Sequence, residues 1–132
     1  MKPPKKIRDF ETVPVDKWMA GTITAIEHDP AHMFGGGPTA NVNEAIRITF
    51  SIDGLRFPHR TGWMTFSYGP GATLLERYLK SLVDGARADM DFDIEDLRSM
   101  RVETLWRPTP RGKQDVAAIR PLGEKLRAGR AA

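Results

Sequence analysis

The chain of 132 residues contains no cysteine, an absence that excludes disulfides, thiolate nucleophiles and thiolate-ligated zinc together. It suits a reducing compartment, and the cytoplasm is the expected location. No apolar run approaches the ~18 residues of a membrane-spanning helix, so no membrane partner is expected. The opening MKPPKKIRDF is basic but leads into no apolar stretch and does not read as a secretory signal. Excess charge is also scarce: 20 Lys+Arg against 17 Asp+Glu leave a formal +3, too little to demand a polyanion. A catalytic constellation is missing as well. The GGG at 35–37 has no P-loop lysine after it, and His28, Asp29 and Ser51 or Ser67 lack a nucleophile elbow. His28, Asp29 and His32, with His59 further on, are residue types that suit a divalent ion, but they run from a strand end into a glycine-rich stretch rather than along one helical face. The sequence assigns no catalytic residue, no metal and no cofactor.

What is present is pattern. Residues 13–122 read as one domain between a flexible basic arm (1–12) and a basic, frayed tail (123–132). Acids gather at Asp84, Asp89, Asp91, Asp93 and Glu95, while arginines gather at Arg56 and Arg60 and again at Arg98, Arg101, Arg107 and Arg111. A first strand is expected over Val13–Ile26, with Gly21 marking a bulge or bend. HDPAHMFGGGPTANVN then reads as a long connection without period, of the kind that is usually functional or mobile.

Ile46, Ile48, Phe50 and Ile52 alternate strictly and break at Asp53-Gly54, which predicts a type I′ hairpin. Such a turn pairs Ile52 with Leu55 and Phe50 with Phe57, so Phe57 is expected in the core. The same parity would bury His59 and Thr61, yet the apolar residues have moved to Met64 and Phe66. A bulge or break between Phe57 and Gly62 is therefore expected, helped by Pro58 and Gly62. It turns Trp63, Thr65 and Ser67 outward beside Arg47, Thr49 and Ser51. Thr73–Val83 reads as the clearest helix, with a Thr73/Glu76 capping box, a C′ glycine at Gly85 and an apolar stripe of Leu74, Leu75, Tyr78, Leu79 and Leu82. RVETLWR and DVAAIRPL are two further strands joined by PTPRGKQ.

GTITAIEHD, ITFSIDGLRF with TGWMTFSY, and ATLLERYLKSLV follow the order of the OB-fold, a mainly β, five-stranded Greek-key barrel with one α-helix between strands three and four. Over residues 15–122 the chain resembles OB-fold single-stranded-DNA-binding proteins of phage and prophage type. Leu97-Arg98-Ser99-Met100-Arg101-Val102 stands where that family has a leucine-led phrase before its fourth strand; Ser99 and Met100 take the places of a glycine and a basic residue. The resemblance implies non-catalytic, weakly sequence-specific binding of single-stranded DNA, or RNA, in phage or mobile-element replication and recombination. Bacterial single-strand-binding proteins end in an acidic tip that recruits partners. This chain ends LRAGRAA, so recruitment would work differently.

Strand binding of that kind needs cations along the backbone path and aromatic faces for stacking, about 1–3 kcal/mol per base. Arg47, Arg56, Arg60 and Trp63 supply both near one hairpin, and Trp106, Arg107 and Arg111 extend the path along the last one. Trp63 is evenly balanced between surface and core, whereas Trp106 leans to the core because Val102 and Thr104 share its parity. Met33-Phe34 gives the glycine-rich connection an apolar tip that can fold over bases or dock on a protein partner. An interaction module without nucleic-acid affinity is the alternative reading, and an outward tryptophan would also serve an oligomer.

Overall fold

The computed structural model describes residues 11–128. Its alternating apolar residues build a mainly β, antiparallel architecture. The long first strand, β1 (Trp18–Phe34), pairs with β2 (Asn41–Ile52), on which Ile46, Ile48, Phe50 and Ile52 are all buried as their alternation predicts. At Gly21 the first strand serves two neighbours, opposing Ile52 on β2 and Val102 on β6 (Arg101–Pro108). A Cβ there would lie 2.7 Å from the Ser51 carbonyl oxygen, so glycine is required by close backbone approach rather than by a bulge. The bulge falls at Thr24, between the Ile23 and Ala25 pairings.

The stretch expected to be a long connection is mostly ladder. His28 opposes Ile46 and Asp29 opposes Ala45; the register slips across Pro30-Ala31, then His32, Met33 and Phe34 oppose Asn43, Val42 and Asn41. Proline ended the sequence pattern at a point where the strand bulges and resumes.

The Asp53-Gly54 hairpin is also built differently. Leu55 N–H donates to the Ile52 carbonyl, but positive φ falls on Gly54 and not on Asp53, so the turn is not type I′. Pairing resumes only at β3 (His59–Arg60), where Phe50 opposes His59 instead of Phe57. Phe57 is 42% exposed, outside the core in which it was expected. Glu11 holds the looser turn, accepting from the Arg56 and Phe57 N–H groups at 2.6 and 2.9 Å.

The anticipated phase change is present, and Thr61 executes it. Thr49 opposes Arg60, while three residues earlier Ile46 opposes Met64 of β4 (Met64–Thr65), four residues later; one residue has been inserted. Ile48 N–H donates to the Thr61 hydroxyl (3.1 Å) and Thr61 N–H donates to the Ile48 carbonyl (2.9 Å), so a side chain replaces a ladder acceptor. Met64 is consequently buried, Phe66 packs on the core, and Thr65 points outward. Thr49, expected on the outer face, is buried between its ladder partners Ala25 and Arg60.

After Pro70-Gly71 the chain winds as a π-helical segment, Leu74–Leu79, and closes as α1 (Lys80–Leu82). Its stripe of Leu74, Leu75, Tyr78, Leu79 and Leu82 is buried against the sheet as predicted. The capping box does not form: Thr73 is itself helical, and the Glu76 carboxylate accepts instead from Gly71 N–H. Nor is Gly85 the C′ residue, because the short β5 (Val83–Asp84) intervenes and pairs in parallel with β8 (Leu126–Arg127). That pairing anchors part of the tail expected to fray; residues 129–132 lie outside the described residues.

The expected last strands are β6 and β7 (Gln114–Pro121), and Val102, Thr104 and Trp106 point inward. The main sheet runs β3-β2-β1-β6-β7, with β4 also on β2. The expected closed barrel is not formed, since no ladder joins β3 or β4 to β7 among the described residues. The two edges meet through a side chain, where Gly62 N–H donates to Asp115 Oδ1 at 3.3 Å. Residues 1–10 of the expected flexible arm lie outside the described residues, but Val13 is buried and held by Gln114 through both its N–H and its carbonyl.

Candidate nucleic-acid interface

Trp63 lies outside the hydrophobic core, beside Arg47 of the neighbouring strand. The Arg47 guanidinium carbon stands 4.4 Å from its ring centre, a cation–π distance. His32, brought round by the arm of β1, stacks on the same indole at 4.9 Å with 29° between the planes. Asp29 holds that imidazole, with Oδ2 3.1 Å from His32 Nδ1. The Asp29 carboxyl is kept below its ordinary range first by the Ala31 N–H and then by His32. Phe34 packs edge-on against His32 at 4.8 Å. The histidines considered for a metal thus serve other partners: His32 meets Trp63, His28 lies 3.3 Å from Glu44, and His59 lies 3.0 Å from Glu11.

The candidate cations do not all converge. Arg47 is clamped by Glu27 at 2.8 and 2.6 Å, and Arg60 reaches the same carboxylate at 3.2 Å. These guanidiniums, Arg47 foremost, hold the Glu27 carboxyl below its usual range. Arg56 lies over Phe57 at 5.3 Å and lines neither of the clefts that Trp63 borders. Arg107 is exposed, sits 3.7 Å from Asp16 and lines none of the clefts described below. Trp106, carried as a stacking candidate, is 1% exposed; its indole N–H donates to Thr104 at 2.7 Å and its ring abuts Phe50. It can stack on no base.

Arg111 does converge. A groove of about 600 Å³ runs between the arm tip (His32, Met33, Phe34) and the β6–β7 turn (Arg111, Lys113), with Trp63 at its base. Lys113 also borders a cleft of about 580 Å³ that reaches Arg60 and Glu11. On the opposite side, Phe34 and Trp63 border a further cleft of about 410 Å³ that reaches Arg77, Tyr78 and Asp115. The 410 and 600 Å³ clefts have Phe34, Gly62 and Trp63 as common walls, and Lys113 borders both the 600 and the 580 Å³ clefts.

Sequence reading missed His32 as a partner of Trp63, Lys113 as a wall, and the Arg77–Tyr78–Asp115 group. Lys113 stood two residues from Arg111 and could have been included on that ground. Arg77 and Tyr78 carried no signal, because in a plain helix Tyr78 belongs to the core stripe. Met33, which also borders the 600 Å³ groove, is 62% exposed beside Val42, its ladder partner. Comparison with family models, curated proteins and solved structures yields no significant match.

Proposed function

We propose that this protein is a non-catalytic single-stranded nucleic-acid-binding protein, with DNA the expected strand, and that its sheet is a half-open OB-type barrel. The strand order β3-β2-β1-β6-β7 and the helix between β4 and β6 support the fold reading. The observation that carries the functional reading is the row of neighbouring clefts, two of them bordered by Trp63, with Arg60, Lys113, Arg111 and Arg77 on their walls. A strand laid there meets cations for its phosphates and an indole for a base. On binding, a base takes the place of His32 or Arg47 on the indole, and a displaced Arg47 turns to a phosphate. Because Glu27 already neutralises much of Arg47 and Arg60, affinity is expected to be moderate.

Titration of tryptophan fluorescence with an oligo-dT strand tests this. Quenching that weakens as salt rises is expected from counterion release. Absence of binding at low salt overturns the reading. The exposed Met33–Val42 pair favours a second reading, a protein-docking module, which predicts salt-insensitive binding to a protein and no oligonucleotide affinity.

A further inference from the structure

We propose that the cleft behind Trp63, floored by Tyr78 and walled by Arg77 and Asp115, is a reading pocket for a single nucleobase. This inference rests on the strand-binding function above and gives it a base-specific element that a stacking platform alone lacks. The first observation is an unpaired polar atom. Tyr78 lines the cleft and is fully buried, yet among the described residues no acceptor meets its hydroxyl proton, the neighbouring Arg77 guanidinium being a donor only. Buried hydroxyls nearly always find partners, and leaving one unpaired costs stability. Burial, and then the Asp115 charge, push the Tyr78 hydroxyl well above its ordinary pKa. The Arg77 guanidinium opposes that shift but carries only donors, so the tyrosine remains an O–H donor without an acceptor.

The second observation is the state of the charged wall. Arg77 Nη1 donates to the Val116 carbonyl at 3.1 Å and stands 3.9 Å from Asp115 Oδ2. Asp115 Oδ1 already accepts from Val116 N–H and Gly62 N–H, whereas no hydrogen bond reaches Oδ2 among the described residues. The cleft therefore offers donors from Arg77 and one open carboxylate acceptor, with the Tyr78 O–H enclosed at its floor and reached only as that floor gives way to a ligand. The third observation is the helix itself. Lys80 N–H bonds back to the Leu75 carbonyl, five residues away, and π-type winding of this kind is frequent at functional sites. It carries Arg77 and Tyr78 side by side along the cleft.

The chemistry that fits is planar, neutral and edged with both donors and acceptors. Trp63 and Phe34 give a π-surface on one side, on which a planar base can stack. A phosphate would meet the Asp115 carboxylate and be repelled, so the base, not the backbone, enters. A cleft of about 410 Å³ is within the range of small-ligand sites. A base carried by a strand and the base of a free nucleotide share this chemistry.

The test compares wild type with Tyr78→Phe on otherwise abasic strands, each carrying dT, dC, dA or dG at one central position. Free nucleoside monophosphates form a separate arm, and thermal melts verify the fold. Stacking tolerates any base, whereas hydrogen-bonded edges do not, so wild type should rank the four bases over about tenfold in Kd. Tyr78→Phe should melt no lower than wild type, bind with an unchanged salt dependence and compress the ranking to within about threefold. Base-independent binding by wild type, or an undiminished ranking in the variant, overturns the pocket while leaving strand binding intact. Ranked binding of free nucleotides without strand affinity supports the pocket and overturns the strand-binding function. No binding by strand or nucleotide overturns both.

Discussion

Trp63 and Trp106 each sit in strand-like sequence, yet one lies in a groove and the other at the centre of the core. Trp106→Ala leaves a large cavity beside Phe50 and removes the donor to the Thr104 hydroxyl, which keeps only its bond to the Met19 carbonyl, and should cost about 3–5 kcal/mol in urea unfolding. Trp63→Ala removes only the surface stacking with Arg47 and His32, and should cost about 1 kcal/mol in the same assay. Its larger effect is expected in oligonucleotide titration, a loss of about 1–3 kcal/mol of binding. Ser99 is informative in another way. It adopts φ 73°, a left-handed conformation that penalises any Cβ. Ser99→Gly should raise unfolding free energy by about 0.5–1 kcal/mol, the relief of strain being partly offset by greater freedom of the unfolded chain.

At the scale of elements, close approach and an acid-sensitive clamp shape the hairpins. A methyl group at Gly21 would collide with the Ser51 carbonyl across the β1–β2 ladder, where backbone must move to accept it. Gly21→Ala is expected to destabilise by about 1–3 kcal/mol, read from denaturant midpoints. The turn between β2 and β3 depends on Glu11, whose carboxyl falls to about 2 because the Arg56 and then the Phe57 N–H groups bond its ionised form. With the folded pKa below the unfolded one, acid protonates the unfolded chain first. The contribution is full above about pH 4.5 and is lost as pH falls towards 2. Glu11→Gln should flatten the pH dependence of the melting temperature in that window. An unchanged profile would show that the clamp contributes nothing.

For the whole molecule, a net charge of +3 makes distribution decisive. Arg111 and Lys113 are exposed and face the arm tip across the groove, whereas Arg47 and Arg60 are shared with Glu27. Replacing both Arg111 and Lys113 by glutamine should reduce the slope of log K against log salt by about 0.7 for every phosphate the pair neutralises. The corresponding change at Arg107, paired loosely with Asp16 off the path, should leave that slope alone. A slope that responds equally to both would mean the groove is not the route of the strand.

The local pattern determined the β2 alternation, the helical stripe, the inward face of β6 and even the need for a phase change before Trp63, because period and burial are tied by backbone geometry. It did not determine where the ladder slips. Thr61 replaces a carbonyl with its hydroxyl, and Glu11 stabilises a turn 45 residues away; both depend on partners the local pattern cannot name. The β1–β2 arm escaped notice because Pro30 and the glycines mimic a loop, and its strand character comes from pairing with Asn41–Asn43. Tertiary structure alone brought Arg111 and Lys113 to one cleft beside Trp63 and Arg77 and Asp115 to the next, and left the sheet edges joined by a side chain instead of a ladder. The reason is physical: alternation sets which face a residue takes, whereas only long-range packing sets which faces meet.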